Sequence, residues 1–160
     1  MSTRAFILVL FVFAFCLRFG VSLVLPEKET LLSDSREYRD IALNIVGGDG
    51  FLLHEDAKAK RPPGYPLFLA LPEWFFPGQL EALFAAQAFL GALVCVFVFG
   101  VGFVTLGKFI AVMASFLCAA YPLLIYSGVS LLVEPLYSCL FLLEIFFLVR
   151  AQTSWKSGWG

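Results

Sequence analysis

Two polar residues follow the first long apolar stretch of this chain at places where they could do chemistry. Asp34 stands in SDSREY, and Arg61 opens RPPGYP. A carboxylate can act as a general base when it reaches a hydroxyl or amine, and an arginine held by a stiff Pro-Pro segment suits bidentate capture of a phosphate. Each also has a structural alternative: Asp34 as the N-cap of a helix, and Arg61 as a solvated loop cation beside Lys58 and Lys60.

Other charged residues lie inside or beside apolar runs. Glu134 directly precedes Pro135, and because proline favours the first helical position, Glu134 is predicted at a helix N-terminus. Its charge there is either a favourable partner of the helix dipole or a functional carboxylate at membrane depth. Arg18 either snorkels to the headgroups or faces the same site from below. Glu144 is expected to be protonated or paired inside a helix bundle, and His54 is interpreted as a loop histidine.

The composition indicates a membrane protein. The chain has 160 residues, of which 61% are hydrophobic and 14% charged, whereas soluble domains are about 45–50% apolar. A net charge of -1 gives no basic surface for nucleic acid. The four cysteines (Cys16, Cys95, Cys118 and Cys139) all lie in apolar runs, where they are interpreted as small buried hydrophobic residues.

Four apolar stretches are predicted to cross the bilayer, since a helix needs about 20 apolar residues to do so. They cover residues 5–25, 82–106, 109–126 and 135–149, and residues 26–76 form a polar outer loop. Basic residues mark the cytoplasmic side. Arg4, Lys108, Arg150 and Lys156 would all lie there, so both termini are predicted to be cytoplasmic. The fold class expected is an all-α polytopic helix bundle.

The outer loop is predicted to carry two short elements at the membrane surface. Residues 34–46 have an apolar stripe at helical spacing, a capping box formed by Asp34 and Glu37, and a Gly47-Gly48 stop. This stripe is expected to be partly buried among lipid headgroups. The stripe residues are Tyr38, Ile41, Ala42 and Ile45. A second piece, residues 66–76, is expected to be interfacial or re-entrant and broken at Pro72.

The order of these motifs resembles the N-terminal part of the PMT-type glycosyltransferases (glycosyltransferase family 39). The resemblance runs over SDSREYRDIALNIVGGDGF, RPPGYPLFLAL, QAFLGAL and AAYPLLIYSGVSLLVEPLYS, and so over nearly the whole chain. It implies a GT-C membrane fold and transfer of a sugar from a polyprenyl-phosphate donor to a lipid, glycan or protein acceptor. It also implies a bacterial plasma membrane location, with the site on the extracytoplasmic face.

The same resemblance implies roles for particular residues. Asp34 would be the catalytic base and Glu134 a second catalytic carboxylate. Arg61, with Arg18 as a weaker candidate, would contact the lipid phosphate. Tyr38 and Tyr65 are assigned with them to substrate binding. No cofactor is certain; a divalent cation is left open, and the sequence shows no metal site.

The chain is much shorter than members of that family and lacks their later helices, so it is expected to be an N-terminal portion whose isolated activity is in doubt. Two other classes stay open. A non-catalytic membrane module would use the loop helix only as a brace. A transporter-like lipid-binding protein would place its polar residues, Arg18 and Glu144, near the bilayer centre and would show inverted repeats.

Overall fold

The computed structural model describes residues 2–25, 33–54, 57–58 and 61–157, with only the backbone described for 54, 57–58 and 153–157. The described part of the chain is helical apart from turns and one short hairpin. The elements are α1 (Thr3–Val24), α2 (Ser33–Gly47), β1 (Leu52–His54), β2 (Ala57–Lys58), α3 (Gly64–Phe75), α4 (Leu80–Thr105), α5 (Lys108–Ala120), α6 (Pro122–Val129) and α7 (Glu134–Ser157).

Helix α4 is the centre of the bundle and packs against α1, α5, α6 and α7. Small residues allow these close approaches, as is typical of helix packing in membranes. A Cβ added at Gly102 would lie 3.1 Å from the Cα of Ala111 on α5. One added at Gly100 would lie 3.0 Å from the ring of Phe146 on α7. Glycine is therefore needed where these helices touch.

Helix α2 confirms the predicted loop helix. It begins at Ser33, one residue before the predicted start, and it ends at Gly47, after which Gly48 takes φ 90°. The expected burial among lipid headgroups is wrong, because protein covers the stripe. Tyr38, Ile41 and Ala42 are buried, and Tyr38 and Ala42 belong to a cluster with residues of α3 and α4 and with Leu131.

Helix α3 corrects a second expectation, since it runs through Pro72 without a break. Proline removes one i to i−4 hydrogen bond inside a helix. Here that loss falls close to the end of the helix at Phe75, and burial of Leu69 and Ala70 in the core offsets it. Between α2 and α3 the two short strands pair antiparallel, with Leu52 opposite Lys58 and His54 opposite Ala57.

Within the described residues, α1 and α4 are long and apolar enough to cross a membrane. The third predicted span is not one straight helix: α5 ends at Ala120, α6 begins at Pro122, and their axes differ by 53°. The pair can be counted as one broken span. Tyr121 has ψ 118°, the extended conformation favoured before proline. The fourth predicted span lies within α7, and the four-span arrangement remains a prediction.

Candidate functional site

Arg61 lies between two carboxylates of α2. Its Nη2 donates to Asp34 Oδ1 at 2.6 Å, and its Nε donates to Glu37 Oε2 at 2.8 Å. The carboxylates are one helical turn apart, so one guanidinium reaches both. The hydrogen bond to Glu37 is the main cause that raises the pKa of Arg61, with Asp34 adding to it. Arg61 is therefore a fixed cation, rather than the freely solvated one considered from the sequence.

Asp34 does not occupy the predicted N-cap position. It lies inside the first turn of α2, and its side chain remains 55% exposed while it holds Arg61. Glu37, the proposed partner in a capping box, also binds Arg61. The carboxylate and the guanidinium that it holds therefore both remain partly accessible to a ligand.

A row of aromatic and polar side chains leads inward from Arg61. Its guanidinium lies 5.4 Å from the centre of the Tyr38 ring, a cation–π distance. Tyr38 packs edge-to-face on Tyr65 with ring centres 4.9 Å apart. The Tyr65 hydroxyl donates to Gln87 Oε1 at 3.2 Å. The structure thus brings together four residues assigned from the sequence: Asp34, Arg61, Tyr38 and Tyr65.

Tyr65 is almost fully buried at 2% exposure, and its pKa is raised well above the usual value. Burial is the largest cause, and electrostatic interactions with Glu134 and Tyr38 add to it. Tyr65 therefore stays neutral, and its hydroxyl remains a hydrogen-bond donor. The effect of Glu134 also places that carboxylate within electrostatic range of Tyr65.

The turn between α6 and α7 is held from two sides. Ser35 of α2 donates to the carbonyl of Ser130. Gln87 Nε2 of α4 donates to the carbonyl of Leu132 at 2.7 Å. Between them, Leu131 is fully buried and has φ 46°, a conformation that non-glycine residues seldom adopt. These contacts fix the position of Glu134, which begins α7 as predicted.

A cavity of about 30 Å³ lies beneath this turn. Its wall includes Arg18, Ser127, Glu134 and Ser138, and the volume is enough for a water molecule. Glu134 itself is exposed. The cavity therefore links Glu134, at the start of α7, to the interior arginine of α1.

Arg18 does not snorkel; it is buried at 1% exposure. Nη2 donates to the carbonyl of Cys118 at 3.2 Å, and Nη1 donates to that of Ala119 at 3.3 Å. These carbonyls belong to the last turn of α5, where a helix lacks its own donors. Pro122 removes the backbone N–H that would otherwise serve Cys118. Arg18 therefore caps the break between α5 and α6, and its Nε has no partner among the described residues.

Two buried polar residues of this region carry no assignment from the sequence. Glu73 of α3 is 1% exposed, accepts from the backbone N–H of Gly78 at 2.9 Å, and lies 3.5 Å from Arg39. Gln87 of α4 is fully buried. The only available signal was a polar residue inside an apolar run, as in ALPEWFF, which marks a buried polar group without naming its partner.

Glu144 corrects another expectation, because it is exposed on the outer surface of α7 rather than enclosed in the bundle. The cysteines divide: Cys95 and Cys139 are buried, while Cys16 is exposed on α1. The His54 side chain lies outside the described side chains. Among the described residues, no group of three or more His, Cys, Asp or Glu side chains could hold a metal ion.

The fold and site define a helical protein with two helices suited to crossing a membrane and a charged cluster on α2 beside a buried aromatic row. No family model matches the chain, and no curated protein or solved structure matches it.

Proposed function

We propose that this chain acts as a membrane glycosyltransferase of the PMT type, which transfers a sugar from a polyprenyl-phosphate donor to an acceptor on the extracytoplasmic face. The observation that carries the proposal is the contact between Asp34 on α2 and Arg61 in the segment before α3. Arg61 Nη2 lies 2.6 Å from Asp34 Oδ1, and both side chains are partly exposed. The proposal includes four spans with both termini cytoplasmic, in a bacterial plasma membrane.

Arg61 keeps donors for a phosphate while the carboxylates hold it in place. A guanidinium has five N–H donors, and two of its nitrogens, Nε and Nη2, make the bonds to Glu37 and Asp34. Its Nη1 makes no hydrogen bond among the described residues. A donor phosphate could bind there and on the remaining Nη2 proton, with the guanidinium already oriented.

The reaction would be a single inverting displacement. Asp34 would take a proton from the acceptor hydroxyl or amine as that group attacks the anomeric carbon. The bond from the anomeric carbon to the phosphate oxygen would break, and the phosphate would leave with the electron pair. Arg61 would stabilise the charge that develops on it. Glu134, held by the fixed turn, would orient a substrate; a divalent cation stays open.

Arg18 has a smaller part in this proposal than the sequence assigned to it. Its guanidinium is turned to the α5 carbonyls and to the cavity shared with Glu134, so it would support the site from below. The transporter alternative gains no support, because Arg18 is enclosed in the bundle while Glu144 faces outward. The two residues therefore do not face each other across the interior of the bundle.

The test is transfer of a labelled sugar from polyprenyl phosphate in membranes, normalised to protein level. Asp34→Asn should lower the rate by about 10²–10⁴, the usual contribution of a general base, because the amide keeps the shape but cannot accept the proton. Asp40→Asn is the matched control, since Asp40 is an exposed aspartate on the same helix, and it should keep full activity.

Donor binding separates the two roles. Arg61→Ala should weaken binding of polyprenyl phosphate to the purified protein, and Arg61→Lys should do so less, because lysine keeps the charge but loses the planar fork. Asp34→Asn should not weaken it. Transfer at the wild-type rate in Asp34→Asn would return Asp34 to a structural role, and the absence of transfer and of donor binding in the unmodified chain would contradict the proposal itself.

A further inference from the structure

One face of α7 points away from the bundle and carries a single carboxylate among large apolar side chains. The exposed apolar residues are between 50% and 67% accessible, and Glu144 is exposed between them. Their spacing of three and four residues forms one continuous stripe along the helix. The stripe consists of Tyr137, Leu140, Phe141, Glu144, Phe147 and Leu148.

The opposite face of α7 is already occupied by the bundle. Cys139 is buried, and the ring of Phe146 lies against Gly100 of α4. Glu144 therefore cannot turn inward without a rotation of the whole helix. Nor do its neighbours one turn away offer a polar group, since Leu140, Phe141, Phe147 and Leu148 are all apolar.

The depth of Glu144 makes this exposure unfavourable in lipid. This step rests on the four-span arrangement of the proposed function, in which α7 crosses the bilayer from Glu134. Glu144 follows ten residues later, about 15 Å along a helix that rises about 1.5 Å per residue. The hydrocarbon core is about 30 Å thick, so Glu144 would lie near its centre, where a charged side chain is costly unless paired.

The described residues do not supply the complementary group. Among the described residues, the ion pairs involve Asp34, Glu37 and Glu73 but not Glu144. Arg18 is the only basic residue well inside a predicted span, and it is buried in the bundle. A second copy of the described residues would therefore present no outward cation at this depth.

We propose that the α7 stripe is the docking face for a partner transmembrane helix that carries a basic side chain near the middle of the membrane. The apolar stripe supplies helix packing at the spacing of left-handed pairs. The carboxylate of Glu144 supplies the specificity by pairing with the partner's arginine or lysine.

The experiment measures binding of synthetic transmembrane peptides to the chain in lipid bilayers by energy transfer between fluorescent labels. The probe is a lysine-flanked leucine helix with one central arginine, and the matched peptide has leucine at that place. The arginine peptide should bind about tenfold more tightly, the size expected for a polar pair between membrane helices. Glu144→Leu should abolish the difference, and Glu144→Gln should reduce it.

Met113→Leu is the control variant, because Met113 is exposed on α5 and carries no charge; the preference should persist in it. Equal binding of the two peptides, or a preference that survives Glu144→Leu, would overturn the proposal. Self-association of differently labelled copies that depends on Glu144 would assign the stripe to a second copy instead. Peptide binding uses no sugar donor, so a failed transfer assay does not affect this result. Labelling of a cysteine at position 144 by an impermeant maleimide would overturn both this proposal and the four-span arrangement.

Discussion

At the scale of single residues, Tyr65 connects the surface site to the interior. It touches Tyr38 on one side, hydrogen bonds Gln87 on the other, and lies within the electrostatic reach of Glu134. Gln87 in turn holds the turn before α7. A substitution of Tyr65 is therefore expected to affect both the site around Arg61 and the turn before α7.

The raised pKa of Tyr65 predicts a loss of stability at alkaline pH. Below its usual pKa of 10.0, Tyr65 is neutral in the folded and the unfolded chain, and the stabilising contribution is fully present. Above that pH the unfolded chain releases the proton first, so the free energy of unfolding falls until the pH reaches the raised folded pKa. Tyr65→Phe should remove this part of the pH dependence, measured as unfolding in detergent from neutral to alkaline pH.

The same variant should cost about 1–3 kcal/mol at neutral pH, because it leaves the buried Gln87 Oε1 without its donor. Tyr121→Phe is the control, since Tyr121 is 54% exposed, and it should leave both the stability and the pH dependence nearly unchanged. An alkaline slope that persists in Tyr65→Phe would show that another group causes it.

At the scale of the elements, Arg18 and Gly91 form a slot that joins α1 to the break between α5 and α6. A Cβ at Gly91 would lie 2.6 Å from both Cδ and Nε of Arg18. The arginine is flexible as a free side chain, but its bonds to Cys118 and Ala119 hold it in place. The slot accepts no larger residue unless those bonds are given up.

Gly91→Ala should therefore lower stability by about 1–3 kcal/mol, the usual cost of overpacking a core. Thermal unfolding of the purified protein measures it. Gly128→Ala is the matched control, because its Cβ would meet Arg18 at 3.5 Å, an ordinary contact, and it should have little effect. In an Arg18→Met background the loss of stability caused by Gly91→Ala should be smaller, since the two sites are coupled. Equal losses in both backgrounds would show that the close approach of Arg18 to Gly91 is not the cause.

A feature could be predicted from the sequence when the interactions that produce it are between residues close in sequence. Helix α2 was predictable because its apolar stripe and the Gly47-Gly48 stop are local. The different effects of Pro72 and Pro122 on their helices could not be predicted from local sequence. Pro122 begins a new helix after the break, whereas Pro72 lies inside α3. The burial that offsets the lost hydrogen bond at Pro72 involves residues distant in sequence. Arg18 was recognisable as unusual, but its acceptors are 100 and 101 residues away.

The site shows the same limit. Asp34, Arg61 and Glu134 could be singled out by their positions beside apolar runs and prolines. That Arg61 would be shared by Asp34 and Glu37 depends on how the segment before α3 returns to α2, a distance of 27 and 24 residues in sequence. The predicted lipid burial of the α2 stripe failed for the same reason: the covering surface comes from α3 and from Leu131.

At the scale of the whole molecule, the arrangement separates a polar end, formed by α2 and the segment before α3, from an apolar bundle built around α4. If the flanking charges set the orientation, the polar end lies outside and the α4–α5 turn lies in the cytoplasm. Asp40 on α2 and Lys108 at the start of α5 are exposed and are therefore suitable positions for labelling.

In a variant without its native cysteines, a cysteine at position 40 should react with an impermeant maleimide added outside sealed membranes. A cysteine at position 108 should not react until the membranes are opened. A permeant maleimide should label both and serves as the control for reactivity. Labelling at 108 from outside would reverse or remove the proposed orientation, whatever the outcome of the transfer assay.

At Leu131 the backbone conformation and the packing of the side chain favour different residues. Its φ of 46° favours glycine, which adopts such angles without steric cost, whereas its fully buried side chain fills a core that glycine would leave empty. The strain of a left-handed residue is about 1–2 kcal/mol, and truncating a buried leucine to alanine costs about 2–5 kcal/mol. Leucine is therefore the more stable residue at this position. Few other residues are acceptable there in the turn that carries Glu134, because smaller residues leave a cavity in the core and β-branched residues adopt this backbone angle only with strain.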